Sequence, residues 1–77
     1  MRVALVTGGG SGIGRSAALE LNKIDFTVYV VGRREEELLK TSSLATNNNH
    51  KIIPIKTDIT IASQVIALFN KIKSDHE

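Results

Sequence analysis

The sequence predicts an α/β domain of three layers, in which a parallel sheet of strand order 3-2-1 carries helices on both faces. Strand-like and helix-like segments alternate as β-α-β-α-β-α over residues 1–77, without an internal linker. A glycine cluster separates the first strand from the first helix. Pro54 lies inside the third strand, and a residue without an N–H group fits a strand at the edge of a sheet.

The first strand is predicted from the apolar run between Arg2 and Thr7. The run shows no alternation, which is typical of a strand covered on both faces in a parallel sheet. A helix is predicted from Gly12 to about Ile24, because apolar residues recur there near the helical period. These apolar residues are Ile13, Ala17, Ala18, Leu21 and Ile24.

The second strand is predicted over Thr27 to Val31, a β-branched and aromatic segment. The acidic run Glu35 to Glu37 then fits the first turn of a helix, since carboxylates stabilise the positive end of the helix dipole. Asn47 to Asn49 end this helix, because Asn tolerates turn conformations. Its apolar side comprises Leu38, Leu39 and Leu44.

The third strand is predicted over Lys51 to Thr57 and contains the edge proline. Thr60 is the expected N-cap of the third helix, because a hydroxyl at that position accepts a hydrogen bond from a free backbone N–H group. The apolar stripe of this helix comprises Ile61, Val65, Leu68, Phe69 and Ile72.

The glycine cluster carries the functional signal. Gly8, Gly12 and Gly14 lie between a strand and a helix, which is the arrangement that places a phosphate against backbone N–H groups at a helix N-terminus. This context predicts a Rossmann-like, dinucleotide-binding function. An alternative is the nucleoside-triphosphate P-loop, since residues 9–16 differ from that motif mainly in having Arg15 in place of its lysine.

Three segments together resemble one family, the short-chain dehydrogenases/reductases: the glycine motif that begins at Thr7, Arg33 after the second strand, and residues 58–60 after the third. The resemblance covers only the N-terminal, cofactor-binding part of that family's domain. It implies that the glycine loop holds the cofactor pyrophosphate and that the Asp58 carboxylate meets the adenine. The predicted cofactor-binding residues are Gly8, Gly10, Ser11, Gly12, Ile13, Gly14, Arg33, Arg34, Asp58 and Ile59. An alternative role for Asp58 is that of a carboxylate at the helix N-terminus, near Thr60.

The end of the second strand predicts the choice of cofactor. An acidic residue there would accept the ribose hydroxyls of NAD, whereas an arginine accommodates the 2′-phosphate of NADP. The sequence has Arg33 and Arg34, with no acid before Glu35, and therefore favours NADP, with NAD possible. The alternative is that both arginines pair with the acidic run on a solvated face.

No residue is predicted to be catalytic. The family chemistry implied by the resemblance uses a tyrosine and a lysine four residues apart on a helix, with a serine nearby. Tyr29 is the sole tyrosine of the sequence, and both it and Arg33, four residues later, belong to the second strand and its end. We therefore expect Tyr29 to pack in the sheet beneath a helix. The chain is expected to be a truncated cofactor-binding portion of an oxidoreductase, inactive alone.

The alternative function is a stand-alone binding or oligomerisation module. In the predicted strand order the first strand is an edge, so a second copy could attach along Val3, Ala4, Leu5 and Val6 to form a homodimer. A net charge of +2 does not favour nucleic acid, and the sequence has no cysteine for disulfides or thiolate metal sites. We expect no metal or membrane partner and, because the residues after Met1 do not form a signal peptide, a cytoplasmic location.

Overall fold

The computed structural model describes residues 2–76, so Met1 and Glu77, which the predicted domain includes, lie outside the described residues. The elements are β1 (Arg2–Thr7), α1 (Gly12–Lys23), β2 (Phe26–Gly32), α2 (Glu35–Ser43), β3 (Ile52–Lys56) and α3 (Ala62–Asp75). The three strands are parallel, and β2 lies between β1 and β3. The predicted fold class and strand order are confirmed. Pro54 lies on an edge strand, as expected.

The core lies between the sheet and the pair α1 and α2. Side chains alternate between the two faces of a strand, so Val28 and Val30 of the central strand point to the same side. Both are fully buried, and they cluster with Ala18 of α1, Leu38 of α2 and Ile52 of β3. The central strand therefore anchors both helices that flank the glycine loop.

The third helix covers the other face of the sheet. Tyr29, which alternates with Val28 and Val30, is fully buried there. Its hydroxyl lies 2.8 Å from an Asp75 carboxylate oxygen and 2.8 Å from the Nε2 atom of His76, at the end of α3. Burial, followed by the hydrogen bond to Asp75, raises the pKa of Tyr29 to about 12. Tyr29 is thus a sheet residue packed beneath a helix, as the sequence predicts.

The expectation that β1 is covered on both faces is wrong. Val3 and Leu5 pair in register with Thr27 and Tyr29, so they lie on the α3 side of the sheet. Each is 37% exposed, whereas Ala4 and Val6, on the opposite side, pack against the core. A continuous apolar run is compatible both with a strand buried on one face and half-exposed on the other and with a strand buried on both faces. The run therefore predicts the strand correctly but not its cover.

The apolar stripe predicted for α1 is also only partly correct. Ile13 is 89% exposed and Ile24 is exposed, while Ala18 and Asn22 are the residues buried against the sheet. The Asn22 amide donates hydrogen bonds of 3.1 Å to the carbonyl oxygens of Phe26 and His50. A polar side chain thus takes an inward position because it ties the end of α1 to the starts of β2 and β3. The apolar sides of α2 and α3 are narrower than predicted too, with Leu39, Leu44, Ile61 and Phe69 exposed.

Two properties of residues 2–76 bear on other classes of protein. None of their helices combines the length and apolar character needed to cross a bilayer. Within the same residues, His, Asp and Glu side chains nowhere gather in a group of three that could hold a metal ion.

Candidate functional site

The predicted site residues meet at the carboxyl ends of the three strands, where ligands bind in open parallel sheets. A cavity of about 400 Å³ lies there, between the glycine loop, the start of α2 and the loop after β3. Its lining comprises Thr7, Gly8, Gly10, Ser11, Val31, Gly32, Arg33, Arg34, Glu37, Leu38, Thr57, Asp58, Ile59 and Thr60. Of the predicted cofactor residues, Gly12, Ile13 and Gly14 are outside this lining and form the first turn of α1 beside it.

Gly8, Gly12 and Gly14 lie at positions of the glycine loop where a side chain would strain the backbone or clash. Gly8 and Gly12 have φ angles of 68° and 55°, in the left-handed region that favours glycine. A Cβ atom on Gly14 would overlap the carbonyl oxygen of Gly8, so the first turn of α1 lies directly against the loop. The glycines at these spacings therefore bring the helix N-terminus to the edge of the cavity.

Gly9 is a structural residue of the loop that sequence reasoning did not select. It is buried, and a Cβ atom there would lie 2.6 Å from the Cβ atom of Val30 in the central strand. Beside it, the Gly8 N–H group donates a 2.9 Å hydrogen bond to the Val31 carbonyl oxygen. The signal that could have identified Gly9 is the run of three consecutive glycines, which exceeds what the fingerprint spacing requires.

The N-terminus of α1 is suited to an anion. Ser11 is the N-cap residue in an extended conformation, and its side chain makes no capping hydrogen bond within the described residues. The first turn of α1 contains no acidic residue. Backbone N–H groups of a first turn have no partner within their helix and carry the positive end of its dipole. Since Ser11 lines the cavity, these groups adjoin the space where a phosphate could bind.

The two arginines after β2 are exposed on the cavity wall. Among residues 2–76 the ion pairs are Glu20 with Lys23 and Lys71 with Asp75, so neither arginine pairs with the acidic run of α2. The structure therefore does not support the alternative in which Arg33 and Arg34 are neutralised by Glu35 to Glu37.

Asp58 lies near Thr60, as the alternative for this residue expects, but in the turn before α3. One carboxylate oxygen accepts hydrogen bonds from the Thr60 hydroxyl at 2.6 Å and from the Thr60 N–H group at 3.0 Å. These bonds, with a smaller contribution from the positive charge of Arg33, lower the pKa of Asp58. The expectation that Thr60 is the N-cap of α3 is wrong, because its hydroxyl is turned back to Asp58 and Ile61 occupies the cap position. Gln64 completes the turn by accepting a 2.7 Å hydrogen bond from the Asp58 N–H group.

Arg15 does not face the cavity. Its guanidinium turns beneath the glycine loop, where it donates to the Thr41 hydroxyl at 2.9 Å and to the carbonyl oxygens of Gly10 and Glu37. In a P-loop, the residue at this position reaches the β- and γ-phosphates. The position of Arg15 therefore argues against the P-loop alternative.

Comparison with known proteins agrees with this geometry. A family model described as "short chain dehydrogenase" matches residues 2–77. The chain is 34% identical over 76 residues to the mouse "Dehydrogenase/reductase SDR family member 1", covering 99% of this chain and 24% of that protein. It superposes with a TM-score of 0.89 on the citronellol catabolism dehydrogenase AtuB of Pseudomonas aeruginosa PAO1, at 35% identity over 96% of this chain and 31% of the other.

A second solved structure, YwfH, has a TM-score of 0.89 and 26% identity over 97% of this chain and 32% of its own, and is described as an NADPH-dependent reductase. The chain thus spans between about a quarter and a third of the length of these relatives. The chain belongs to the short-chain dehydrogenase family.

Proposed function

We propose that residues 1–77 are the NAD(P)-binding part of a short-chain dehydrogenase/reductase and that they bind the pyrophosphate of the cofactor at the N-terminus of α1. The observation that carries this proposal is the uncapped, acid-free first turn of α1, which adjoins the cavity at the ends of three parallel strands. In the described residues the cavity wall beside this turn includes Ser11 and two residues that carry no side chain, Gly8 and Gly10. Such a wall admits a phosphate closely.

The remaining cavity residues are placed to hold the adenosine half of the cofactor. Arg33 and Arg34 follow β2, on the side where the adenine-linked ribose lies in dinucleotide-binding sheets. Asp58 and Ile59 follow β3 and line the same cavity, and we propose that they contact the adenine. The bound cofactor would supply hydride transfer, while these residues bind and orient it. We propose no catalytic role for any residue of this chain, and expect no turnover from residues 1–77 alone.

We further propose that NADP is preferred to NAD. The support is chemical, since an exposed guanidinium offers a bidentate donor to a 2′-phosphate. Glu35 is the first acidic residue after β2, and it belongs to α2. A relative at 26% identity is described as NADPH-dependent, which agrees with this preference.

The test is a calorimetric titration of the purified chain with NADP and with NAD. We expect Arg33→Ala to weaken NADP binding by roughly 10- to 100-fold, since a hydrogen bond to a charged group contributes about 1.5–3 kcal/mol, and to leave NAD binding within about twofold. Lys40→Ala is the matched control, because it removes the same charge from an exposed position late in α2. Absence of NADP binding at millimolar concentration contradicts cofactor binding. Equal losses for both cofactors in Arg33→Ala contradict the NADP preference.

A second candidate function, self-association, is favoured by the edge of β1. This strand pairs only with β2 among the described strands, and Val3 and Leu5 are half-exposed beside its open edge. We propose that two copies pair residues 3–6 antiparallel about a two-fold axis, which would continue the sheet across a homodimer. Sedimentation velocity should show a dimer that Leu5→Lys converts to a monomer. The proposal fails if the unmodified chain is a folded monomer at high micromolar concentration.

A further inference from the structure

We infer that Thr41 and Arg15 are positioning residues for cofactor binding: they hold the carbonyl groups of the glycine loop inward and thereby direct its N–H groups to the cofactor pyrophosphate. The inference rests on the proposed function and adds residues that lie outside the cavity lining. Thr41 is 26 residues from Arg15 in the sequence and belongs to a different helix.

The contacts form a compact network beneath the loop. Thr41 is fully buried, and its hydroxyl donates a 2.7 Å hydrogen bond to the Gly9 carbonyl oxygen. The same hydroxyl accepts a 2.9 Å hydrogen bond from Nε of Arg15. One terminal nitrogen of Arg15 donates to the Gly10 carbonyl oxygen and, at 3.1 Å, to that of Glu37. Two consecutive carbonyl groups of the loop are therefore held from below by side chains of α1 and α2.

Because peptide groups are planar, holding a loop carbonyl group in place also fixes the direction of the next N–H group. In a planar trans peptide the C=O group of one residue and the N–H group of the next point in opposite directions. The described residues contain no cis peptide bond. Holding the Gly9 carbonyl inward therefore turns the Gly10 N–H group outward, and holding the Gly10 carbonyl inward does the same for the Ser11 N–H group. Gly10 and Ser11 both line the cavity.

The position of Arg15 makes this role specific to the loop. A guanidinium has five N–H donors in a fixed plane, so it can reach two carbonyl oxygens and a hydroxyl at once. Its partners lie on both sides of the loop-to-α2 contact, where Gly10 packs against Glu37. The network therefore fixes the distance between the glycine loop and the first turn of α2, which forms the cavity wall next to Arg33.

The experiment compares Thr41→Val, which keeps the side-chain shape without the hydroxyl, with Thr41→Ser, which keeps the hydroxyl. Each is titrated with NADP and with adenosine 2′-monophosphate, which lacks the pyrophosphate, well below the melting temperature. We expect Thr41→Val to weaken NADP binding about fivefold to tenfold, because the loss of its one hydrogen bond to a loop carbonyl corresponds to such a factor. Thr41→Ser should change NADP binding less than twofold. Binding of adenosine 2′-monophosphate should change less than twofold in both.

A ligand-free measurement separates this inference from the proposed function. In ¹H–¹⁵N spectra of the chain alone, Thr41→Val should move the amide signals of Gly10 and Ser11, and Thr41→Ser should leave them near their original positions. If Thr41→Val does not fold, Arg15→Met provides the same test, with Lys23→Met as a control that removes an exposed charge from the same helix.

Three results would overturn the inference: unmoved amide signals in both Thr41→Val and Arg15→Met, unchanged NADP binding in these variants, or equal losses for both ligands. Failure of the unmodified chain to bind NADP instead contradicts the proposed function, and the amide signals then decide the positioning role alone.

Discussion

Two single substitutions, Gly9→Ala and Gly10→Ala, test how closely the glycine loop packs against the sheet. Gly9 and Gly10 both have φ angles outside the left-handed region, so alanine is compatible with the backbone of each. They differ in their surroundings. A Cβ atom on Gly9 would lie 2.6 Å from Cβ and 3.2 Å from Cα of Val30, in the middle of the central strand. A Cβ atom on Gly10 would meet the Glu37 side chain at 3.1 Å.

The two changes should therefore differ in cost. Inserting a methyl group into a packed interior costs about 1–3 kcal/mol, and replacing glycine returns about 0.4–1 kcal/mol through the unfolded chain. Neither the strand nor a buried valine can move away, so Gly9→Ala should lose about 1–2 kcal/mol of unfolding free energy. The Glu37 Cβ atom, in the first turn of α2, needs to move by only a few tenths of an ångström to accommodate the new methyl group, so Gly10→Ala should stay within about 0.5 kcal/mol.

Urea unfolding followed by circular dichroism measures the difference. For a small domain the free energy of unfolding falls by roughly 1 kcal/mol per molar urea, so the Gly9→Ala midpoint should be about 1–2 M below that of Gly10→Ala. The unmodified chain gives the reference slope. A Gly9→Ala midpoint equal to or above that of Gly10→Ala would refute the close contact between the loop and β2.

Three further predictions use the same unfolding assay. Leu38→Ala should lower the unfolding free energy by about 2–5 kcal/mol because Leu38 is buried, whereas Leu39→Ala should change it by less than about 0.5 kcal/mol because Leu39 is exposed; similar losses would contradict the buried face of α2. The pKa of Tyr29 is raised from 10.0 to about 12, so its hydroxyl stays protonated to a higher pH in the folded chain than in the unfolded chain. The free energy of unfolding should therefore fall as pH rises from 10 towards 12. Tyr29→Phe should remove that fall, and an unchanged alkaline limb would count against it. The pKa of Asp58 is lowered from 3.8 in the folded chain, so the stabilisation by its carboxylate is present above pH 3.8 and is lost as pH falls through the lower folded pKa. Asp58→Asn should therefore make the free energy of unfolding depend less steeply on pH in this acidic range. An unchanged slope would exclude Asp58 as the source of this dependence.

Those features that depend on short sequence separations were predictable. The glycine spacing identifies the strand–loop–helix unit, because a left-handed φ at Gly8 and the overlap at Gly14 are consequences of one tight turn. Pro54 identifies the edge strand through a single missing donor. In both cases the physical constraint acts within a few residues, so the residue type alone reports it.

Contacts between distant residues were not predictable in the same way. Thr41 lies 32 residues from Gly9, whose carbonyl group it holds. The sequence shows only a polar residue near the end of a helix, with nothing to indicate that it is buried. Asn22 is buried although its type favours the surface, because its amide donates hydrogen bonds to two carbonyl groups, one at the start of β2 and one just before β3. The periodicity of apolar residues does not reveal such hydrogen bonds of buried polar side chains. This explains why the buried faces of α1 and α2 include one polar residue each, where the pattern predicts only apolar ones.

The two interpretations of Asp58 are compatible once its oxygens are considered separately. The turn before α3 uses one carboxylate oxygen, which accepts both hydrogen bonds from Thr60. An ionised carboxylate has about four lone-pair positions on two oxygens, so the second oxygen can still accept from an adenine amino group. The hydrogen bonds from Thr60 also keep the carboxylate ionised and fix its orientation at the cavity wall. The local role at the helix start therefore prepares the residue for the proposed contact with the adenine.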